Sequence, residues 1–288
     1  MAILPQLILN SIIAGSIYTL VVLGFNLIYG ATKFFNLAHG IMVTIGGYAV
    51  FYFAKTLGLN MYVAIILGVI LAGLVGFSLD KFIYFPLRKR KASNMVLLVA
   101  SLGAMTALQA VISILFSSQF KTLSQNIDTQ KIIKIFGGVI TQMQLIILLS
   151  AVLVMVALII LFYKTQLGKA IRAISDDEEV ARIIGINTNK IIGYVFLFGS
   201  AIAGLAGILV GFDVGIDPKI GSSLLFKGVI ASIVGGVGNI YGGVLGAFIL
   251  GFVENFGVWK ISSEWKDAIA FALLIIFLIF RPRGIINK

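Results

Sequence analysis

Cysteine is absent from the 288 residues, which excludes disulfides, thiolate metal ligation and thiol nucleophiles. A single histidine, His39, excludes a histidine-based metal cluster. Charge is also scarce: Asp, Glu, Lys and Arg make up 11% of the chain, against about 25% in soluble domains. What replaces it is apolar, at 60% hydrophobic residues and a mean hydropathy of +1.09. A soluble single-core protein is excluded, and 32 glycines against 4 prolines suit closely packed membrane helices. The 22 basic residues exceed the 11 acidic ones, giving a net charge of +11. In a soluble protein that excess would suggest nucleic acid; here it reads as charge that sets membrane topology, with lipid as the surroundings and no nucleic-acid partner.

The charges divide the chain into uncharged windows at 1–32, 34–54, 56–79, 92–120, 135–163, 191–212 and 228–253, with a shorter one at 268–280. Most reach the roughly 20 residues that cross about 30 Å of hydrocarbon. Runs of Val, Ile and Leu at this length are helices rather than barrel strands, which would alternate apolar and polar residues. The fold class is therefore all-α, a polytopic transmembrane bundle of about 8–10 segments, with residues 1–288 as a single transmembrane domain. The first window lacks a basic leader and stays apolar from Ile3 to Tyr29, unlike a cleaved signal.

Basic clusters set the orientation. Arg88 to Lys91, the segment from Lys164 to Lys190, and the tail with Arg281, Arg283 and Lys288 are all expected on the cytoplasmic side. Counting crossings puts the N-terminus outside, the C-terminus inside and Lys121 to Lys134 outside. Between Lys190 and Arg281 the count requires an even number of crossings, yet three windows are visible. The break is expected at Gly235-Gly236-Val237-Gly238-Asn239, where glycine weakens a helix and Asn239 can cap a new one. That leaves residues 222–234 as a short, broken or re-entrant piece; residues 34–40 are a second candidate of the same kind. Small residues at every fourth position, such as Gly199, Ala203, Gly207 and Gly211, let helices approach closely.

Between the fifth and sixth windows lies a soluble loop at about 164–190. Ser175 followed by Glu178 spells a capping box, Asp176 to Glu179 fill a first helical turn, and Gly185 stands where a helix stops. A cytoplasmic helix from about Asp176 to Ile184 is expected, either solvated or inserted into a partner through Val180, Ala181, Ile183 and Ile184.

Glu179-Val180-Ala181 followed by Gly185 resembles the Glu-Ala-Ala-x-x-x-Gly coupling loop of ATP-binding cassette importer permeases, with Val180 replacing the first Ala. Leu27 to Gly30, Asn36 to Gly40, Pro86-Leu87-Arg88, Ser101-Leu102-Gly103 and Lys227-Gly228 through Gly246 continue the likeness along nearly the whole chain. The chain is similar to the LivH/LivM class, the branched-chain amino acid permeases, and to LivH in particular. Asn239 and Tyr241 stand where this family usually shows Ser and Pro. The resemblance implies a permease subunit in the cytoplasmic membrane, paired with a second homologous permease, two cytoplasmic ATPases and an extracytoplasmic amino-acid-binding protein. It assigns coupling to Arg172, Glu179, Ala181, Arg182 and Gly185. The chain has no phosphate-binding G-x-x-x-x-G-K-[ST], paired carboxylates or nucleophile triad, so it is read as neither an ATPase nor another enzyme, and no cofactor is implied.

Three residues are candidates for a translocation pathway. Asn36 and His39 either line that path or bond backbone freed by the broken segment, and the backbone's need for partners favours the second. Lys227 either belongs to the path or snorkels to an interface, which its long apolar stem favours. Glu254 is expected near a span end, beside Trp259 and Lys260 in an interfacial belt. Competing readings are a permease for amides, urea or another small polar solute, a stand-alone secondary transporter, and a purely structural subunit. A secondary transporter would more often carry an intramembrane set of ionisable groups.

Overall fold

The computed structural model describes residues 3–124, 132–135 and 137–286; Lys288 of the basic tail lies outside them. Six stretches are long and apolar enough to cross a membrane: Ile3–Thr32, Met61–Lys89, Asn94–Phe116, Gln142–Lys164, Thr188–Asp213 and Ile240–Gly257. They correspond to α1 (Ile3–Thr32), α3 (Met61–Leu79) continued by a π turn and α4 (Phe85–Lys89), α5 (Asn94–Phe116), α6 (Gln142–Lys164), α9 (Thr188–Asp213) and α11 (Ile240–Gly257). Shorter helices fill the intervals: α2 (His39–Phe51) with a π turn at its end, α7 (Gln166–Asp176), α8 (Glu178–Ile183), α10 (Ile220–Gly235) and α12 (Lys266–Phe280). A hairpin of β1 (Ile132–Ile135) and β2 (Gly138–Thr141) precedes α6. The window at 228–253 is split as expected, with Asn239 capping α11 by accepting from the Gly242 N–H at 3.1 Å.

Contacts between chain ends define two faces. On the first, the Gln6 side chain exchanges two hydrogen bonds with Val139 at 3.0 and 2.8 Å. Lys121 and Ile216 exchange backbone bonds of 2.9 and 2.7 Å on the same side. On the second, Asn94 donates to the Lys33 carbonyl, and Ile285 and Ile286 donate to Val234 and Gly235. The start of α1 thus lies on one face. The C-terminal segment, Arg88 to Lys91 and the loop carrying α7 and α8 lie on the other. Among the described residues α1, α2, α3, α5, α6, α9, α10, α11 and α12 alternate between them.

Helices α1 and α9 form the centre, being 61% and 67% buried over their most apolar stretch, whereas α3, α5 and α6 are 28%, 17% and 22% buried. In lipid the outer helices keep their apolar side chains exposed at no cost, so burial marks the inner ring. The centre is built by close backbone approach. A Cβ on Gly24 would collide with the Gly199 carbonyl of α9, and a Cβ on Gly199 would meet the Gly24 carbonyl. Gly40 of α2 and Gly221 of α10 oppose each other in the same reciprocal way. Outside these crossings, α3 packs on α9 and α11 packs on α1. The triplets α1–α2–α3 and α9–α10–α11 run in opposite senses and interlock, as an inverted repeat does. The sequence shows no residue-by-residue identity between them, because helix crossings conserve small size at a contact rather than a pattern.

Candidate functional site

The soluble loop folds as two helices. Thr165 caps α7 by accepting from the Gly168 N–H at 3.0 Å, and a Cβ on Gly168 would strike the Leu161 and Phe162 backbone at the end of α6. The Arg172 guanidinium lies 4.9 Å from the Tyr163 ring centre, bracing α7 on α6. The expected capping box at Ser175 and Glu178 does not form, because Ser175 sits inside α7. Asp177 caps α8 instead, accepting from the Glu179 and Val180 N–H groups at 2.8 and 3.0 Å. An extended aspartate can serve one helix as stop and the next as start, so the expected single helix from Asp176 to Ile184 becomes two.

Gly185 closes α8 with φ +90: its N–H donates to Arg182, and the Ile186 N–H donates to Ala181. Ala181 is 1% exposed and packs within this chain, so it is no free docking position. The outer edge is a different set: Val180, Ile183 and Ile184 are 52%, 83% and 67% exposed. Arg182 pairs with Glu178 at 2.8 Å beside them, and Glu179 is exposed. A capped helix presenting three large apolar side chains between charges has the make-up of a contact surface.

At the second face a cleft of about 130 Å³ is lined by Gly30, Tyr163, Arg172, Ser175, Gly238 and Tyr241, among others. Its lining includes a residue the sequence reading missed. Asn26 Oδ1 accepts from the Ser232 hydroxyl at 2.5 Å and the Gly238 N–H at 3.2 Å, while Nδ2 donates to the Asn239 carbonyl at 2.8 Å. A neutral amide inside an uncharged window was its only signal.

Asn36 and His39 lie deep in helix contacts, at 3% and 0% exposure. The Tyr84 hydroxyl donates to Asn36 Oδ1 at 2.9 Å, and the neighbouring Leu37 N–H donates to Ser101 at 3.0 Å. His39 Nε2 lies 3.2 Å from the Val21 carbonyl, and its Nδ1 has no hydrogen-bond partner among the described residues.

Lys227 does not snorkel. Its Nζ lies 3.3 Å from Glu254 Oε1, 3.3 Å from the Tyr18 hydroxyl and 3.3 Å from Asp267 Oδ1. Glu254 is near the end of α11 as expected, but it is fully buried, not interfacial, and accepts from the Tyr18 hydroxyl at 2.6 Å. Partners from α1, α11 and α12 explain the correction: a part-buried cation with three acceptors is held among the helices instead of extending into water. Lys227 and His39 both meet one turn of α1, at Tyr18 and Val21, whereas the coupling candidates sit together at the second face. No group of three or more His, Asp or Glu able to hold a metal occurs among the described residues.

The family described as a permease component of branched-chain amino acid transport systems matches residues 7–278. The high-affinity branched-chain amino acid transport system permease protein BraD of Pseudomonas aeruginosa is 32% identical, over 98% of this chain and 95% of its own length. LivH of Salmonella typhimurium is 33% identical over the same shares, and a probable LivH of Methanocaldococcus jannaschii is 28% identical over 96% and 90%. Among solved structures, PsaBC from Streptococcus pneumoniae in complex with Fab aligns with a TM-score of 0.50 and 14% identity, covering 98% of this chain and 93% of that one, a likeness of fold alone. The chain belongs to the branched-chain amino acid transport permease family.

Proposed function

We propose that this family member carries branched-chain amino acids across the cytoplasmic membrane as the permease subunit of an importer driven by ATP hydrolysed on separate subunits. The observation that carries this reading is end-to-end similarity to permeases named for that transport, at 32–33% identity over 98% of the chain. The assembly comprises a second homologous permease, two cytoplasmic ATPases and an extracytoplasmic binding protein. Residues 1–288 act as one membrane domain whose loop at about 164–190 couples to the ATPases.

Within that loop each residue has a separate task. Glu179 and Arg182 meet the ATPase together with the exposed apolar edge of α8, while Ala181 packs α8 against the permease, Gly185 closes its C-terminal end and Arg172 ties α7 to α6. Movement of α8 then reaches α6 and α9, which flank the loop. Asn36, His39 and Lys227 border the path, the first two by fixing the broken segment between α1 and α2. The face carrying Arg88 to Lys91 and α8 is cytoplasmic, supported by the basic residues gathered there.

Two experiments test this. Reporter fusions after Lys91, Lys134 and Lys190 should read inside, outside and inside, and an external Lys190 overturns the orientation. Leucine uptake should require the partner subunits and ATP. Uptake by the isolated chain in liposomes under an ion gradient would establish a secondary transporter instead.

A further inference from the structure

Lys227 stands between two cavities near the face that carries the start of α1. The larger, about 360 Å³, is walled by Ile13, Ile17, Val210 and Leu224, and its charged lining consists of Lys227 and Lys266. The smaller, about 240 Å³, lies between Lys227 and Asp267, and Ser223 lines both. Glu254 and Asp267 do not line the larger cavity, so the charged groups on its wall are Lys227, paired from behind with those two carboxylates, and Lys266. Lys227 reaches its present acceptors at 3.3–3.4 Å, longer than the roughly 2.7–2.9 Å of a well-made charge-assisted hydrogen bond. An incoming carboxylate can therefore take over the ammonium without breaking a short bond, leaving Glu254 held by the Tyr18 hydroxyl at 2.6 Å.

We infer that the larger cavity is a binding subsite for a small aliphatic carboxylate, with Lys227 and Lys266 taking the carboxylate and the Ile13, Ile17, Val210 and Leu224 wall taking the side chain. Given the proposed function, on which this inference rests, the ligand is a branched-chain amino acid arriving from the face that carries the start of α1. The Asn255 amide, whose nitrogen already donates to the Gly251 carbonyl, supplies its oxygen as an acceptor for the ammonium. Aliphatic side chains and two cations on one lining, with the Asn10, Gln144 and Asn255 amides among them, suit such a molecule, and the volume suits one small solute. Lys227 then has two sets of partners: the internal carboxylates when the subsite is empty, the ligand when it is filled.

The chain has no cysteine, so Ser223→Cys introduces a unique thiol into the permease. In proteoliposomes holding the assembled transporter, a membrane-impermeant thiol reagent should modify it. Leucine at ten times its dissociation constant should slow that reaction about tenfold, as simple occupancy requires. Leucinol, which lacks the carboxylate, should leave the rate unchanged. Ser263→Cys, exposed on the same face, should react equally fast with or without leucine. Lys227→Gln should raise the leucine concentration needed for protection about tenfold or more, the factor for losing one charged hydrogen bond, and Lys227→Arg should preserve protection.

Equal protection by leucine and leucinol, or none by leucine, overturns the inference with Lys227 intact, so the test does not depend on how the Gln variant folds. Unchanged protection in a well-inserted Lys227→Gln transporter overturns it as well. Leucine uptake by the unmodified transporter separates the outcomes: uptake without protection removes the subsite alone, whereas absence of uptake removes the function on which it rests.

Discussion

Asn26 holds the break between α10 and α11 through three contacts of 2.5–3.2 Å, whereas Lys227 reaches its partners at 3.3–3.4 Å beside two cavities. Both groups join α1 to α10 and α11, so topology does not separate them. What differs is saturation. A neutral amide with short bonds to a hydroxyl, an N–H and a carbonyl fixes one geometry, because every alternative leaves a buried group unpaired. A cation shared loosely between carboxylates and a phenol has several arrangements of similar energy, and adjoining cavities give a ligand access to it. Structure is held where contacts are short and complete, and exchange is possible where they are long and shared.

The sharpest attempt to break this contrast is Asn26→Leu. It strands the Ser232 hydroxyl and the Gly238 N–H at once, while the Asn239 carbonyl keeps the Gly243 N–H at 2.9 Å. Each stranded group costs about 1–3 kcal/mol, so a loss of roughly 2 kcal/mol or more is expected. Thermal unfolding in detergent should show it as a lower midpoint, with less protein in the membrane. By contrast, Lys227→Gln leaves the Glu254 carboxylate its bond from the Tyr18 hydroxyl at 2.6 Å, so it should impair transport far more than it shifts that midpoint. Equal midpoints for Asn26→Leu and the parent would remove the distinction between the two groups.

The same division runs through the six residues of α8. Its inner side is closed by Ala181, so Ala181→Trp should overpack the chain's own interior and cost about 1–3 kcal/mol. That loss should appear in the isolated permease, with no ATPase present. If the midpoint falls only when the ATPase is bound, Ala181 belongs to the docking surface after all. Gly185→Ala is a smaller test of the same closure. Nothing lies within 4 Å of a Cβ there, so the expected cost of about 1 kcal/mol comes only from the left-handed backbone at φ +90.

Much of this architecture is legible from charge spacing alone. Windows free of Asp, Glu, Lys and Arg located the spans, and glycine with Asn239 located the split between α10 and α11. Charge spacing missed Asn26 because a neutral amide does not interrupt such a window. It misplaced Lys227 and Glu254 because two opposite charges 27 positions apart read as separate boundary residues until α10 and α11 pack together. It also read the start of α8 at Ser175, since Ser175 with Glu178 and Asp177 with Glu179 compete for the same cap and only the bend between α7 and α8 decides. The inverted pairing of α1–α2–α3 with α9–α10–α11 left only the two broken segments at 34–40 and 222–234 as a trace, without residue-by-residue identity, because the crossings at Gly24 with Gly199 and Gly40 with Gly221 require only small residues.

The smallest effect on stability is expected at the outer edge of α8, and there the contrast makes its finest prediction. Ile183 is 83% exposed and stands beside the Glu178–Arg182 pair, so Ile183→Glu removes no internal contact and should shift stability by no more than about 0.5 kcal/mol. If α8 docks into an ATPase groove, however, the new carboxylate must be desolvated against apolar surface each time the two meet, a cost that nothing in the parent interface offsets. ATPase should then co-purify poorly with the variant, and leucine uptake should fall sharply while membrane insertion and the unfolding midpoint stay at parental values. A variant that keeps its ATPase and transports at the parental rate would show that the exposed edge of α8 is only a solvated turn, and coupling would have to be sought elsewhere on the face that carries Arg88 to Lys91.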